Sequence, residues 1–264
     1  RKLFVSSVCL PNLMGRLRVG WGFRLEYKRF RAKQQRHSRE SPYFFCHEGI
    51  VGAAHMSQES DAKLLHTRKV QLRRAFKDRR GGLNDLQRQN YHQSIAHHLE
   101  ALLAKADVCG LAVYLSSPDE VDLTRWMTGA WSAGKQLYAP VVAKAAGAMH
   151  FYAITPHTQI QQGRLKLRRP VLEADAVPVA LHELDAVLLP LVSFDGLGGR
   201  LGMGGGFYDR YFADTETRPW MIGVAYSVQE SLEPLPTQPW DIPLDAVVTE
   251  SGHRIFDRAT SHQH

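Results

Sequence analysis

The most restrictive stretch of the chain is the ten residues from Asp185 to Phe194, Asp-Ala-Val-Leu-Leu-Pro-Leu-Val-Ser-Phe, because they run directly into its glycines. Seven of the 21 glycines lie between Gly196 and Gly206. A continuous apolar run of this kind indicates a strand covered on both faces, the position of a central strand in a parallel sheet. Such sheets bind ligands at the carboxyl ends of their strands, where this glycine segment begins. Glycine lets the backbone approach a ligand closely. Its unobstructed N–H groups can cradle an anion such as a phosphate. The carboxylates Asp195 and Asp209 and the cations Arg200 and Arg210 mark the segment as a chemical site, which a Gly/Ser linker would not be.

The rest of the pattern alternates helices with apolar strands. Leu65, Lys69, Leu72 and Phe76 share one stripe of a helix over 60–80. Lys69 therefore sits in line with apolar residues, either as a stem that packs while its ammonium reaches water or as a cation delivered to a site beneath the helix. A second helix is expected from Asn84 to Ala104, opened by an Asn84/Gln87 capping box, with Tyr91, Ile95, Leu99 and Leu102 buried. Strands follow at Gly110–Leu115, Gln136–Val142, Met149–Ile154, Trp220–Tyr226 and Asp245–Thr249, with helices over Asp122–Ala133 and Phe207–Ala213. Residues 155–182 carry little pattern. The expected fold is α/β: a layered, mostly parallel sheet flanked by helices, with a glycine-rich phosphate loop after a central strand.

Charge is distributed unevenly. Residues 1–55 hold 11 Lys/Arg against 3 Asp/Glu, which leaves 22 basic and 23 acidic side chains for the remainder out of totals of 33 and 26. The formal net charge of +7 thus belongs to the leader, and a nucleic-acid role for the body is disfavoured. Three readings of 1–55 stay open: residues ahead of a start at Met56, a targeting segment, or a functional basic arm. Residues 56–264 are expected to form a single domain. The cysteines Cys9, Cys46 and Cys109 have no zinc or disulfide spacing, which points to a reducing compartment, the cytoplasm. No run approaches the roughly 18 apolar residues of a membrane helix.

The glycine segment matches neither G-x-G-x-x-G nor G-x-x-x-x-G-K-[ST], so a dinucleotide oxidoreductase or a P-loop NTPase is not expected. Its elements still suit nucleotide phosphates, with Arg200 to neutralise charge and Asp209 to hold a hard cation through oxygen. The competing structural view is a glycine-rich turn whose Asp195 caps a helix.

The order of residues in Phe194-Asp195, Gly199-Arg200-Leu201-Gly202 and Gly204-Gly205-Gly206-Phe207-Tyr208-Asp209-Arg210 resembles the 5-formyltetrahydrofolate cyclo-ligase (methenyltetrahydrofolate synthetase) family. Lys69-x-x-Leu72-Arg73, the segment Leu115 to Asp122, and Leu244-Asp245-Ala-Val-Val248 support it, so the resemblance spans about residues 65 to 250. It implies ATP as co-substrate, Mg²⁺, and 5-formyltetrahydrofolate as substrate. It also implies Lys69 and Arg73 on the ATP phosphates and the Arg200–Asp209 segment wrapped around them. Asp209 and Asp245 would be the Mg²⁺ ligands; Leu115, Glu120 and Tyr208 would contact the folate; Arg200 and Tyr208 would be catalytic. By this likeness the formyl oxygen attacks the γ-phosphate, N10 closes the ring on the resulting imidate phosphate, and phosphate departs. Many relatives carry Arg and Lys where Met203 and Gly205 stand, so backbone N–H groups, Arg200, Arg210 or a residue elsewhere must do their work. A non-catalytic nucleotide or folate carrier and a nucleic-acid binder acting through the leader are the alternatives. Oligomeric state is not encoded in any feature of the chain.

Overall fold

A computed structural model describes residues 48–143, 148–163, 165, 167–213, 215 and 218–257, with side chains from residue 61. The chain divides into two units, and the larger runs from Leu64 onward. Of the smaller, residues 48–63 are described, as helix. Most of the expected leader lies outside the described residues. The sheets, core and cavity all belong to the unit that begins at Leu64.

Helix α1 (Glu48–Gly81) carries the anticipated stripe: Leu65, Lys69 and Leu72 are half-buried and Phe76 is buried. Helix α2 (Asp85–Leu103) opens on the expected capping box, with Gln87 N donating to Asn84 Oδ1 (2.9 Å) and Asn84 N to Gln87 Oε1 (3.0 Å). Ile95, Leu99, Leu102 and Leu103 are its buried face. Strand β1 (Gly110–Ala112), helix α3 (Thr124–Ser132), strand β2 (Gln136–Val142) and strand β3 (Met149–Ile154) follow. The poorly patterned stretch after β3 contains a hairpin of β4 (Ile160–Gln162) and β5 (Arg168–Pro170). Then come β6 (Ala186–Pro190), β7 (Ser193–Asp195), β8 (Arg200–Leu201), α4 (Phe207–Tyr211), β9 (Trp220–Val224), β10 (Glu230–Ser231), β11 (Ala246–Thr249) and β12 (Gly252–Ile255).

The main sheet has seven strands in the order β12-β11-β9-β6-β1-β2-β3. Every neighbouring pair from β11 to β2 is parallel, and the two edge strands are antiparallel, so the sheet is mostly parallel as expected. Alternation along each strand divides the core. Leu111, Leu188, Ile222 and Val248 face α2 and α3, and pack with Ile95, Leu99 and Trp126. Ala112, Val187, Leu189, Met221 and Val247 point to the other side, with Phe151, Phe194 and Phe212. Two buried faces explain why β6 is apolar at consecutive positions.

The run Asp185–Phe194 is two strands and not one. β6 belongs to the main sheet, whereas β7 pairs with β8 and β10 in a separate three-stranded sheet. The break falls at Leu191–Val192, whose carbonyls accept from Nε2 of the buried Gln229 (2.7 and 3.0 Å). An amide 37 residues away supplies the donors that a neighbouring strand would otherwise give. The glycine segment therefore follows a strand of the small sheet, one step beyond the carboxyl end of central strand β6.

Candidate active site

A cavity of about 920 Å³ opens where β1, β2 and β6 end, and Tyr114, Leu115, Pro140, Val142 and Pro190 form its floor. Its volume is in the range of small-molecule sites. Three further elements wall it: the stripe of α1 with Lys69, Arg73 and Lys77, the β4–β5 hairpin with Arg168 and Arg169, and the whole segment from Arg200 to Arg210.

Asp195 fixes the base of that segment. Its Oδ1 accepts from the N–H of Leu197 (2.9 Å) and of Gly199 (2.8 Å), and its Oδ2 from Leu235 N (2.7 Å). With every bond internal and the residue 3% exposed, Asp195 is the knot of a turn and not a chemical group. A Cβ at position 199 would lie 2.4 Å from Asp195 Oδ2, so only glycine closes this turn. Gly206, at φ 60°, starts α4 in the left-handed region, which turns Phe207, Tyr208 and Asp209 back to the cavity wall.

Arg200 and Asp209 meet as an ion pair through Nη2 and Oδ1. Arg200 Nε also donates to Ile242 O (2.9 Å), and Asp209 Oδ1 accepts from Ile242 N (3.1 Å). The Arg200 side chain is only 6% exposed. These bonds set the Asp209 carboxylate against Ile242, and Arg200 itself lines the cavity. Arg210 donates through Nη2 to Gly205 O (2.7 Å) and lies over the Phe207 ring.

Lys69 is delivered to the cavity, the second of its two sequence readings. Its Nζ donates to Asp241 Oδ2 at 2.7 Å, and both residues line the wall. Arg73 Nε donates to Gly202 O (2.9 Å), which joins α1 directly to the glycine segment. On the loop after β1, Glu120 also lines the cavity and is held by Ser117 N, which donates to its Oε2 (2.8 Å). Leu115 and Tyr208 also line the cavity. Burial pushes the Tyr208 phenol far above its ordinary range, Glu120 adds to this, and Arg200 partly opposes it.

Thus Lys69, Arg73, Leu115, Glu120, Arg200, Leu201, Gly202, Gly204, Gly205, Gly206, Phe207, Tyr208 and Asp209 converge on one cavity. Asp245 does not. It precedes β11, at the amino end of the strands, and its carboxylate accepts from Met221 N (2.8 Å) and Arg218 Nη2 (3.0 Å). It is 2% exposed, and its bond to Met221 N ties β9 to the start of β11. Sequence reasoning missed Asp241, Trp240 and Lys77 on the wall, and Arg168 and Arg169 on the hairpin. Lys77 was within reach of it, since Lys69, Arg73 and Lys77 recur at i, i+4 and i+8. The others come from stretches without periodicity.

The family model of the 5-formyltetrahydrofolate cyclo-ligase family matches residues 66–250. The chain is 38% identical over 181 residues to 5-formyltetrahydrofolate cyclo-ligase of Escherichia coli, which covers 67% of this chain and 97% of the relative. The corresponding protein of Haemophilus influenzae is 33% identical over 179 residues, covering 67% and 95%. Among solved structures, 5,10-methenyltetrahydrofolate synthetase of Aquifex aeolicus matches with a TM-score of 0.62 and 29% identity, over 74% of this chain and 96% of that one. A family match over residues 66–250, together with 38% identity to a cyclo-ligase covered over 97% of its length, leads to one conclusion: the chain belongs to the 5-formyltetrahydrofolate cyclo-ligase family.

Proposed function

We propose that the chain catalyses the ATP- and Mg²⁺-dependent cyclisation of 5-formyltetrahydrofolate to 5,10-methenyltetrahydrofolate, with release of ADP and phosphate. The observation that carries this is the convergence in one cavity of phosphate-type groups (Lys69, Arg73 and the 200–210 segment) with a carboxylate, Glu120, on the loop after β1. A carboxylate accepts paired N–H donors such as those on the edge of a pterin.

Lys69 and Arg73 meet the phosphates from α1. Lys77 and Arg210 also line the cavity and stand in for the cations that Met203 and Gly205 do not supply. The formyl oxygen attacks the γ-phosphorus and ADP leaves. N10 then attacks the activated carbon and loses its proton, the C–O bond breaks, and phosphate departs. Tyr208 keeps its proton through the neutral range, so it acts as a hydrogen-bond donor to developing charge and not as a base. Arg200 works through Asp209 by fixing its carboxylate. Asp209 would hold Mg²⁺ together with phosphate oxygens. Among the described residues no group of three or more His, Cys, Asp or Glu could hold a metal; magnesium usually binds through one or two carboxylates together with phosphate oxygens and water. When bound, it supplies charge neutralisation to the transferred phosphoryl group. Most of the catalytic work left to the chain is positioning.

Among the described residues no helix is long and apolar enough to cross a membrane. The test is a spectrophotometric assay of the purified chain with 5-formyltetrahydrofolate, ATP and Mg²⁺, with ADP and phosphate counted in parallel. We expect stoichiometric product, no turnover in Asp209→Ala, and weaker ATP binding by calorimetry in Lys69→Ala with the fold intact. Binding of ATP without ADP release would instead indicate a carrier. Unchanged turnover in Asp209→Ala would remove the metal assignment.

A further inference from the structure

Arg88 and His92 lie one turn apart on α2 and neither lines the cavity, yet both are tied to the elements that do. The Arg88 guanidinium donates to main-chain carbonyls of three segments. Nη2 reaches Arg80 O (2.7 Å) in the last turn of α1, and Nε reaches Leu83 O (3.1 Å) in the turn between the helices. Nη1 reaches Asp119 O (3.2 Å), one residue before Glu120. The same guanidinium stands 5.7 Å from the centroid of the Tyr226 ring. Tyr226 is fully buried, its Oη is 2.6 Å from His92 Nε2, and its hydroxyl donates to Glu120 O (3.4 Å).

The loop bearing Glu120 is thus held from behind at two consecutive carbonyls, by groups that both answer to α2. One of those groups also grips the end of the helix that carries Lys69 and Arg73. A planar guanidinium presents several donors in fixed directions and so sets relative position, whereas an ammonium is a point charge. We propose that Arg88, backed by the His92–Tyr226 pair, is a positioning residue. It sets the spacing between the α1 cations and Glu120, and hence between the two substrates. This rests on the assignment of Glu120 to the folate side of the cavity.

The experiment is a double-mutant cycle in the full-length chain, with KM and kcat for both substrates measured well below the melting temperature of each variant. R88M removes all three donations, and we expect kcat/KM for 5-formyltetrahydrofolate to fall about tenfold, the scale of lost charged hydrogen bonds. R88K keeps the charge and does not restore it. In an E120Q background R88M adds less than about twofold, because its effect passes through Glu120. Y226F removes one hydroxyl without disturbing the helices and lowers kcat/KM in the same direction by about threefold, so the proposal is tested even if R88M does not fold. Full multiplication of the R88M and E120Q effects would overturn the proposal alone. So would a lowered melting temperature in R88M with kcat/KM unchanged for both substrates. An E120Q enzyme with unaltered folate kinetics would overturn the Glu120 assignment and the proposal together.

Discussion

Two aspartates that look alike in the sequence occupy opposite surroundings. Asp209 stands at a cavity wall and accepts from Arg200 and from Ile242 N through one oxygen, Oδ1. Asp245 is buried, with Arg218 on one oxygen and the Met221 N–H on the other. We expect Asp245→Asn to leave the Mg²⁺ dependence of turnover unchanged and to lower stability by about 3 kcal/mol, since it removes the charge facing Arg218. Denaturant melts and a Mg²⁺ titration of activity check the two halves. The two separate only once the strand ends are known: one Asp follows a turn at the carboxyl end of the sheet, the other precedes a strand at its amino end. Lys69 is the converse case. A lysine on an apolar stripe has two ordinary fates, and only the position of Asp241, 172 residues away, decides between them.

At the scale of elements, local signals were the most legible. The capping box at Asn84 and Gln87, the stripes of α1 and α2, and the bounds of β2 and β3 all follow from neighbours within a few positions. Asn84→Ala, which takes away one cap donation, is expected to cost about 1 kcal/mol. For a chain of this size that is a fall of about 2–4 °C in melting temperature, measurable by circular dichroism. What could not be read was set at a distance. The division of Asp185–Phe194 into β6 and β7 depends on Gln229, and apolar composition is the same on both sides of the break. The β4–β5 hairpin pairs Gln161 with Arg169 on strands of three residues each, too short and too polar to announce themselves by alternation. The concentrated chemistry of the glycine segment was legible, and the segment lines the cavity. Its inner arrangement was not: Asp195 turns inward as a knot and Arg200 pairs with Asp209.

For the molecule as a whole, the relatives offer a direct expectation. The E. coli protein is covered over 97% of its length by 181 residues of this chain. A chain that begins at Met56 should therefore keep its ATP-dependent turnover, and loss of activity in that chain would assign the preceding residues a part in folding or catalysis. The bond between Lys69 and Asp241 carries a consequence in time. Lys69 leaves the ribosome early and its partner late, and at about 5–20 residues per second the interval is roughly ten to thirty seconds. The cavity gains that wall only when nearly the whole body has been made. A nascent or prematurely ended chain that stops short of residue 241 lacks the aspartate that holds Lys69 at the cavity wall.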